Sequence, residues 1–155
     1  VLVADLDRLE AAVPAMEANG LRLIGRRHLR SNNSWMHNLD VLVRGRARCT
    51  LQVHPDDALR LGVVHGAEAC VTSRVGEVTA TVEVTDAVMP GVVSLPHGWG
   101  HGEDGTSMQV ANGHRGVNAN VLTDDVALDP LSGTSVLNGV PVTVRPVVVA
   151  SPIGA

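Results

Sequence analysis

Residues 25–38, with the sequence GRRHLRSNNSWMHN, hold the densest group of side chains that could bind a ligand. The guanidinium groups of Arg26, Arg27 and Arg30 can each donate paired hydrogen bonds to phosphate oxygens. Serine hydroxyls, asparagine amides and accessible backbone N–H groups follow at 31–34. Because this set comes directly after an apolar, strand-like run, it predicts a loop that holds a pyrophosphate. A solvated arginine cluster beside an Asn/Ser turn would use the same residues, and the sequence leaves that alternative open.

A second candidate loop has the sequence PHGWGH and places His97 and His101 four residues apart, with glycines between and after them. Histidines at this spacing ligate metals best from a helix, which the glycines disfavour, and no third ligand is obvious. We therefore expect no metal here. The glycines instead predict a close approach of His97 and Trp99 to a flat ligand. A tryptophan that closes the mouth of a barrel is the other possibility.

A third polar stretch, VNANVLT followed by DPLSGTS, offers amides, hydroxyls and a carboxylate that could read the edge of a heterocycle or simply close turns. They belong to Asn118, Asn120, Thr123, Asp129 and Ser132. The sequence contains no GxSxG, GxGxxG or GxxxxGK[ST] motif, so neither a nucleophile elbow nor a common nucleotide loop is predicted. We expect no catalytic residue in this chain.

Charge and composition exclude several partners. The chain has 155 residues and a net charge of −4, its twelve basic residues are all arginine, and its aromatic residues are Trp35 and Trp99. A globally basic nucleic-acid binder and a protein that stacks single-stranded bases on many aromatics are therefore not expected. The charge is nevertheless uneven, because residues 21–48 contain seven arginines and one acidic residue, Asp40. This segment can meet an anion.

Cys49 and Cys70 lie in apolar, strand-like runs without metal-type spacing, and we expect both to be free thiols. No apolar run reaches the roughly 20 residues of a membrane span, and the start resembles no signal peptide. The start also lacks Met, so we expect an excised piece or a processed product of a longer polypeptide. A cytoplasmic location is expected.

Hydrophobic periodicity predicts a mainly β domain with many short strands and long polar loops. Val78, Ala80, Val82 and Val84 alternate with polar residues, as in a strand with one buried face. Helices are predicted at 5–19 and 56–62, and strands at 21–27, 49–53, 67–74, 77–89, 92–96 and 140–149. Since no repeat is present, a small barrel or sandwich is expected.

In this order, the motifs resemble the C-terminal dinucleotide-binding domain of the molybdopterin oxidoreductases, the family of dimethyl sulfoxide reductases, formate dehydrogenases and nitrate reductases. The resemblance rests on three stretches of sequence. The first is GRRHLRSNNSWMHN, the second is the ordered series of motifs HPDDA, LG, GAE, SxxG, PG and HGWG within residues 54–101, and the third is NANVLTDDVALDPLSGTSVLNG. It extends from Arg22 to Arg145.

The resemblance implies a six-stranded double-psi β-barrel, like that of aspartate decarboxylase, with one or two short helices. Residues 1–20 would be a helical lead-in, 21–150 the barrel domain and 151–155 a tail. The implied cofactor is molybdenum bound by two molybdopterin guanine dinucleotides in the parent enzyme, with any iron–sulfur cluster in other domains. The implied partners are that cofactor and the remaining domains of the same polypeptide, and neither nucleic acid nor a membrane.

Position by position, the resemblance assigns pterin and pyrophosphate contacts to loop residues, while the metal ligand would lie in another domain. Asn138 stands where relatives often carry Lys. The implied cofactor-binding residues are Arg26, His28, Ser31, Asn32, Asn33, Ser34, His97, Trp99, Asn120 and Asn138.

Two alternatives stay open at this point. A stand-alone barrel enzyme of the aspartate decarboxylase type would cleave itself at a Gly-Ser dipeptide, which this sequence does not contain. A non-catalytic barrel that binds other proteins would need an exposed apolar groove.

Overall fold

The chain forms a closed β-barrel whose strands are separated by short helices and polar loops. The computed structural model describes residues 2–18, 20–102 and 107–147, except for the side chains of 12–18. The helices are α1 (Leu2–Ala18), α2 (Asp40–Val43), α3 (Pro55–Leu61) and α4 (Gln109–Asn112), with a 3-10 turn at Ala119–Leu122. The strands are β1 (Leu21–Arg26), β2 (Thr50–Val53), β3 (Glu68–Thr72), β4 (Glu77–Val84), β5 (Val92–Pro96) and β6 (Val140–Pro146).

The six strands close in the order β1-β5-β2-β4-β3-β6. Strands β1 and β5 are parallel, as are β2 and β4, while every other neighbouring pair is antiparallel. The expected six-stranded barrel is thereby confirmed. Closure pairs both edges of every strand and so removes the exposed edges that would otherwise invite aggregation.

The barrel interior is filled by aliphatic side chains, which explains how the fold does without Phe and Tyr. Leu51, Val53, Val71, Val93 and Leu95 have no exposed surface. Along β4, Ala80 and Val82 are buried while Thr79 is exposed and Thr81 half-buried, as the alternation predicts. Branched aliphatics suit this interior because they pack well on a pleated surface and have few rotamers to lose.

Helix α3 shows how local signals set an element's ends. The His54 Nδ1 atom accepts a hydrogen bond from the Asp56 N–H at 3.2 Å, Pro55 occupies the first turn, and Gly62 ends the helix with φ of 69°. Asp57, in the first turn of α3, is buried, and its Oδ2 accepts the Gly91 N–H at 2.6 Å. This contact fastens α3 to the turn before β5.

The loops contain more regular structure than the sequence indicated. Helices α2 and α4 are single turns of four residues in segments where the sequence predicted no helix. The final strand ends at Pro146, and the expected continuation to 149 and the tail at 151–155 lie outside the described residues. Within the described parts of the chain, no helix has the length and apolar character needed to cross a membrane.

Replacing a fully buried core residue should destabilise the barrel. We expect Leu51→Ala to lower the free energy of unfolding by about 2–5 kcal/mol, because it removes buried methyl groups and leaves a cavity. Leu59 on α3 is 86% exposed, so Leu59→Ala is the matched control and should change stability by less than about 0.5 kcal/mol. Urea denaturation followed by circular dichroism measures both. Equal effects would contradict the assignment of Leu51 to the core.

Candidate ligand-binding site

A cleft of about 420 Å³ opens at the barrel end where β1 and β5 finish. We call it the main cleft. Its floor is apolar and includes Leu23, Leu95 and Ala119, while its rim is polar. The rim side chains belong to Arg27, Asn33, His97, Asn120, Thr123 and Asn138. The structure thus brings together four of the residues expected to bind a ligand: Asn33, His97, Asn120 and Asn138.

Two loops meet at this rim, and Asn33 joins them. These are the asparagine loop (residues 27–38) and the glycine loop (residues 97–102). The Oδ1 atom of Asn33 accepts a hydrogen bond from the Arg27 guanidinium and another from the His97 Nε2 atom at 2.9 Å. Because a carboxamide oxygen only accepts, Nε2 of His97 must carry the proton in this contact. The side chains of Arg27 and His97 are therefore held over the cleft by the same oxygen.

The backbones of the two loops also press together. Asn32 and Asn33 have positive φ angles of 43° and 64°, a conformation that Asn adopts more readily than most residues. This bend directs the Asn33 carbonyl onto Gly98, whose φ is 86°. A Cβ atom at position 98 would overlap that carbonyl. Glycine is thus required here both by conformation and by space.

A third segment, residues 117–123, completes the rim. Gly100 lies against Asn118, and a Cβ at position 100 would come within 2.6 Å of the Asn118 Cβ. The Asn118 side chain accepts the Asn120 N–H at 3.0 Å, and Thr123 Oγ1 donates to the Asn120 carbonyl at 2.8 Å. These contacts fix the backbone at Asn120 and present its carboxamide to the cleft.

Asn138 reaches the cleft from the start of β6. Its Oδ1 atom accepts the Gly25 N–H at 2.8 Å, while the neighbouring Gly139 N–H donates to the Leu23 carbonyl at 2.9 Å. The carboxamide oxygen is therefore part of the β1–β6 junction, and the carboxamide NH₂ is the group left to face a ligand.

Arg26, also expected to contact a ligand, instead ties strands together at the rim. Its guanidinium donates to the carbonyls of Ser94 at 2.6 Å and Thr50 at 2.7 Å, and to Thr50 Oγ1 at 2.9 Å. Burial lowers the pKa of Arg26 and the nearby Glu83 carboxylate opposes that shift. Arg27, one residue later, is the arginine that lines the main cleft, and strand alternation was the signal that could have separated the two.

The remaining candidates of the asparagine loop occupy different environments. Ser31 is buried, and its carbonyl accepts the Met36 N–H at 3.1 Å, so its role is within the loop turn. His28 Nδ1 accepts the Arg30 N–H at 3.3 Å, and burial together with the charge of Arg48 lowers the His28 pKa. Asn32 is exposed and Ser34 half-buried. Their contacts with a ligand stay predictions.

Trp99 lies behind the rim, on the side away from the main cleft. It is buried, and its ring stacks on that of His37 with centroids 3.9 Å apart. His37 was not among the expected site residues, since nothing in the letters SWMHN distinguishes an inward-facing histidine from an exposed one. Trp35, the other tryptophan, is 81% exposed.

Comparison with known proteins identifies the domain. Residues 21–141 match the model of the molydopterin dinucleotide binding domain. The chain belongs to this family. The resemblance found in the sequence is thereby confirmed, and the match ends within the barrel's last strand.

Two similar proteins are much longer than this chain. A tetrathionate reductase subunit of Salmonella typhimurium is 29% identical, over 60% of this chain and 11% of the relative. The structure of acetylene hydratase from Pelobacter acetylenicus superposes with a TM-score of 0.70 at 22% identity, over 88% of this chain and 19% of that one. The chain therefore spans less than a fifth of either relative's length, and the second comparison establishes a shared fold.

A second cleft, of about 290 Å³, has Trp99 among its lining residues. Its lining includes Arg46, Arg48, Arg115, His114 and Cys49. Burial raises the pKa of the Cys49 thiol, and its Sγ accepts the Val117 N–H at 3.3 Å, so Cys49 is a structural thiol. The described residues contain no group of three or more His, Cys, Asp or Glu side chains placed to hold a metal.

The arginine-rich segment is less available to anions than its charge indicates. Arg44 pairs with Asp40 at 2.6 Å, and Arg48 donates to the carbonyls of Leu42 and Arg44 at the end of α2. Arg26 is occupied between strands. Within this segment, Arg27 lines the main cleft, and Arg46, which lies 4.0 Å from the Glu83 carboxylate, lines the second cleft with Arg48.

The contact between the loops can be tested at Gly98. We expect Gly98→Ala to lower the free energy of unfolding by about 1–3 kcal/mol more than Gly91→Ala does, because only position 98 is blocked by a carbonyl. Gly91 has a similar φ of 81°, and a Cβ atom there would meet nothing within 4 Å, so Gly91→Ala isolates the conformational cost of about 1–2 kcal/mol. Thermal and urea unfolding measure the difference. Equal losses would show that the two loops do not touch there.

Proposed function

We propose that this chain is the cofactor-binding domain of a larger molybdenum-dependent oxidoreductase and that it holds a molybdopterin guanine dinucleotide in the main cleft. The observation that carries the proposal is the convergence of Arg27, Asn33, His97, Asn120 and Asn138 on one cleft of about 420 Å³. Membership of the dinucleotide-binding family supplies the ligand class.

The residues present fit such a ligand. A pterin is a flat heterocycle with amide-like edges, and the cleft offers an apolar floor of Leu23 and Leu95 below two carboxamides, Asn120 and Asn138. Carboxamides both donate and accept hydrogen bonds, so they match an edge that does the same. Arg27 carries the charge needed for the pyrophosphate and is already oriented by Asn33.

The chain's own residues bind and orient, and they supply no reacting group. When bound, the molybdenum centre would supply the redox chemistry. The barrel contributes a rim whose loops are fastened to one another before any ligand arrives. Preformed polar contacts of this kind reduce the entropy lost on binding.

The second cleft supports contact with a second dinucleotide. Its lining of Arg46, Arg115 and His114 suits an anionic group, and Trp99, two residues after His97 of the main cleft, also lines it. Two neighbouring polar clefts at one barrel end are consistent with a cofactor that carries two pterins.

The parent polypeptide is part of the proposal as well. Since the chain spans 11% and 19% of the two relatives, its partners would be further domains of the same polypeptide, which would also carry the metal ligand and any iron–sulfur cluster. Residues 1–20 would be the lead-in to the barrel domain at 21–150. A cytoplasmic location stays a prediction.

Binding can be measured with guanosine diphosphate mannose, whose pyrophosphate is flanked by guanosine and a second polar ring. We expect Arg27→Gln to weaken binding about tenfold and to reduce its dependence on salt, because one phosphate contact is lost. Arg145→Gln is the control, since Arg145 lies at the far end of β6 and pairs with Glu77. Isothermal titration at low and moderate salt gives both quantities. Equal affinities for the two variants would contradict the proposed site.

A further inference from the structure

Beneath the rim, two histidines from the two loops share a hydrogen bond. The His37 Nδ1 and His101 Nε2 atoms are 2.7 Å apart, and His37 is only 1% exposed. The rings meet edge to face at 88°, with centroids 5.0 Å apart, and Trp99 covers the face of His37. The cleft-side contact between Asn33 and His97 thus has a buried counterpart below it.

The position of this pair decides what it can do. His37 ends the turns of the asparagine loop, where its N–H donates to the Ser34 carbonyl at 3.0 Å. His101 lies in the glycine loop, where its N–H donates to the Arg115 carbonyl at 3.0 Å. These contacts fix the backbone of each histidine within its own part of the fold. The bond between the two rings therefore couples the two loops that carry Arg27, Asn33 and His97.

The bond requires that the pair carry at most one proton beyond the neutral state. In a neutral pair, one nitrogen donates its proton and the other accepts it through a lone pair. A doubly protonated pair would place two N–H groups and two like charges face to face. Arg48 and His28 add positive charge on the side of His37. His97, across Asn33, and Arg115, beside Gly102, are the other basic groups nearby.

We propose that His37 and His101 are positioning residues for the main cleft: their buried hydrogen bond fixes the asparagine and glycine loops relative to each other, and ligand binding depends on that bond. The proposal rests on the proposed function for the identity of the ligand, and on the geometry alone for the coupling of the loops.

The titration of the pair agrees with this role. Burial, and next the neighbouring His101, lowers the pKa of His37 to about 4, and burial lowers the pKa of His101. Because the folded-state pKa lies below the ordinary value of about 6.5, the stabilisation is complete above that pH and is lost as the pH falls toward 4. The pair is therefore neutral throughout the neutral pH range.

Matched variants separate the hydrogen bond from simple packing. An asparagine side chain places a polar atom near the position of His Nδ1, and a glutamine near that of Nε2, so His37→Asn and His101→Gln retain a hydrogen-bonding group. His101→Ala removes it from the less buried partner and should leave the barrel folded, which circular dichroism checks. Leu29→Ala, on a 95% exposed side chain of the asparagine loop, is the control.

We expect His101→Ala to weaken binding of guanosine diphosphate mannose about tenfold and to shift the amide signals of Asn33 and Gly98 in ¹⁵N spectra. His101→Gln should restore affinity to within about threefold and return both signals, and Leu29→Ala should change neither. If His101→Ala leaves the affinity and the two signals unchanged, or if glutamine restores neither, the positioning role is wrong.

A second readout needs no ligand. Imidazole ¹⁵N spectra should show His37 as a neutral ring at about pH 5.5, where a solvent-exposed histidine is largely protonated, and the pKa of His101 should lie below its ordinary value. Titration of both rings near pH 6.5 would overturn the proposal. Should the wild-type chain fail to bind the probe while the spectra behave as expected, the proposed function would fail and the coupling of the loops would stand.

Discussion

The parallel pairing of β1 with β5 is the constraint on which the site depends. It places Gly25 beside Leu95 and Arg26 beside Pro96, so both strands end at the same rim and in the same direction. The asparagine and glycine loops therefore begin next to each other, where the His97 N–H donates a hydrogen bond to the Arg26 carbonyl at 3.3 Å. An antiparallel pair would have sent the two loops to opposite ends of the barrel. The contacts of Gly98, Asn33 and His97 follow from this arrangement.

Arg26 strengthens the same junction and explains why a strongly basic segment provides few free charges. Its guanidinium links β5 and β2 through three hydrogen bonds of 2.6–2.9 Å. The Thr50 hydroxyl in turn donates a hydrogen bond to the Glu83 carboxylate at 2.5 Å. A planar group with five donors can satisfy several carbonyls at once where a lysine could not. Arginine in this chain is therefore as much a structural residue as a candidate ligand-binding one, and the arginines that line the clefts include Arg27, Arg46 and Arg115.

The strands were predictable from the sequence because alternation of aliphatic and polar residues is local information. That alternation left a barrel and a sandwich open, and the six-stranded barrel followed from the family resemblance. Asn33, His97, Asn120 and Asn138 were expected to bind a ligand because of the motifs that contain them. The structure places all four around one cleft, and their contacts with a ligand stay predictions. The different roles of Arg26 and Arg27 could not be predicted. Neighbouring residues of a strand point to opposite faces, and the sequence did not fix where the strand ends. The His37–His101 contact was beyond prediction as well. It joins residues 64 positions apart and exists only once β1 and β5 are in register.

The absence of Phe and Tyr acquires a specific meaning in this structure. Trp99 is buried against His37, and Trp35 is exposed and outside the lining of both clefts, so no tryptophan is among the described residues that line the main cleft. The face of a flat ligand would rest on Leu23, Leu95 and Ala119 instead. Aliphatic floors give area but little orientation, because dispersion contacts are not directional. Orientation must then come from the rim, where amides and one guanidinium act at fixed positions. A site of this kind depends on how rigidly its loops are held, which is why the coupling beneath the rim matters more here than it would above a stacking tryptophan.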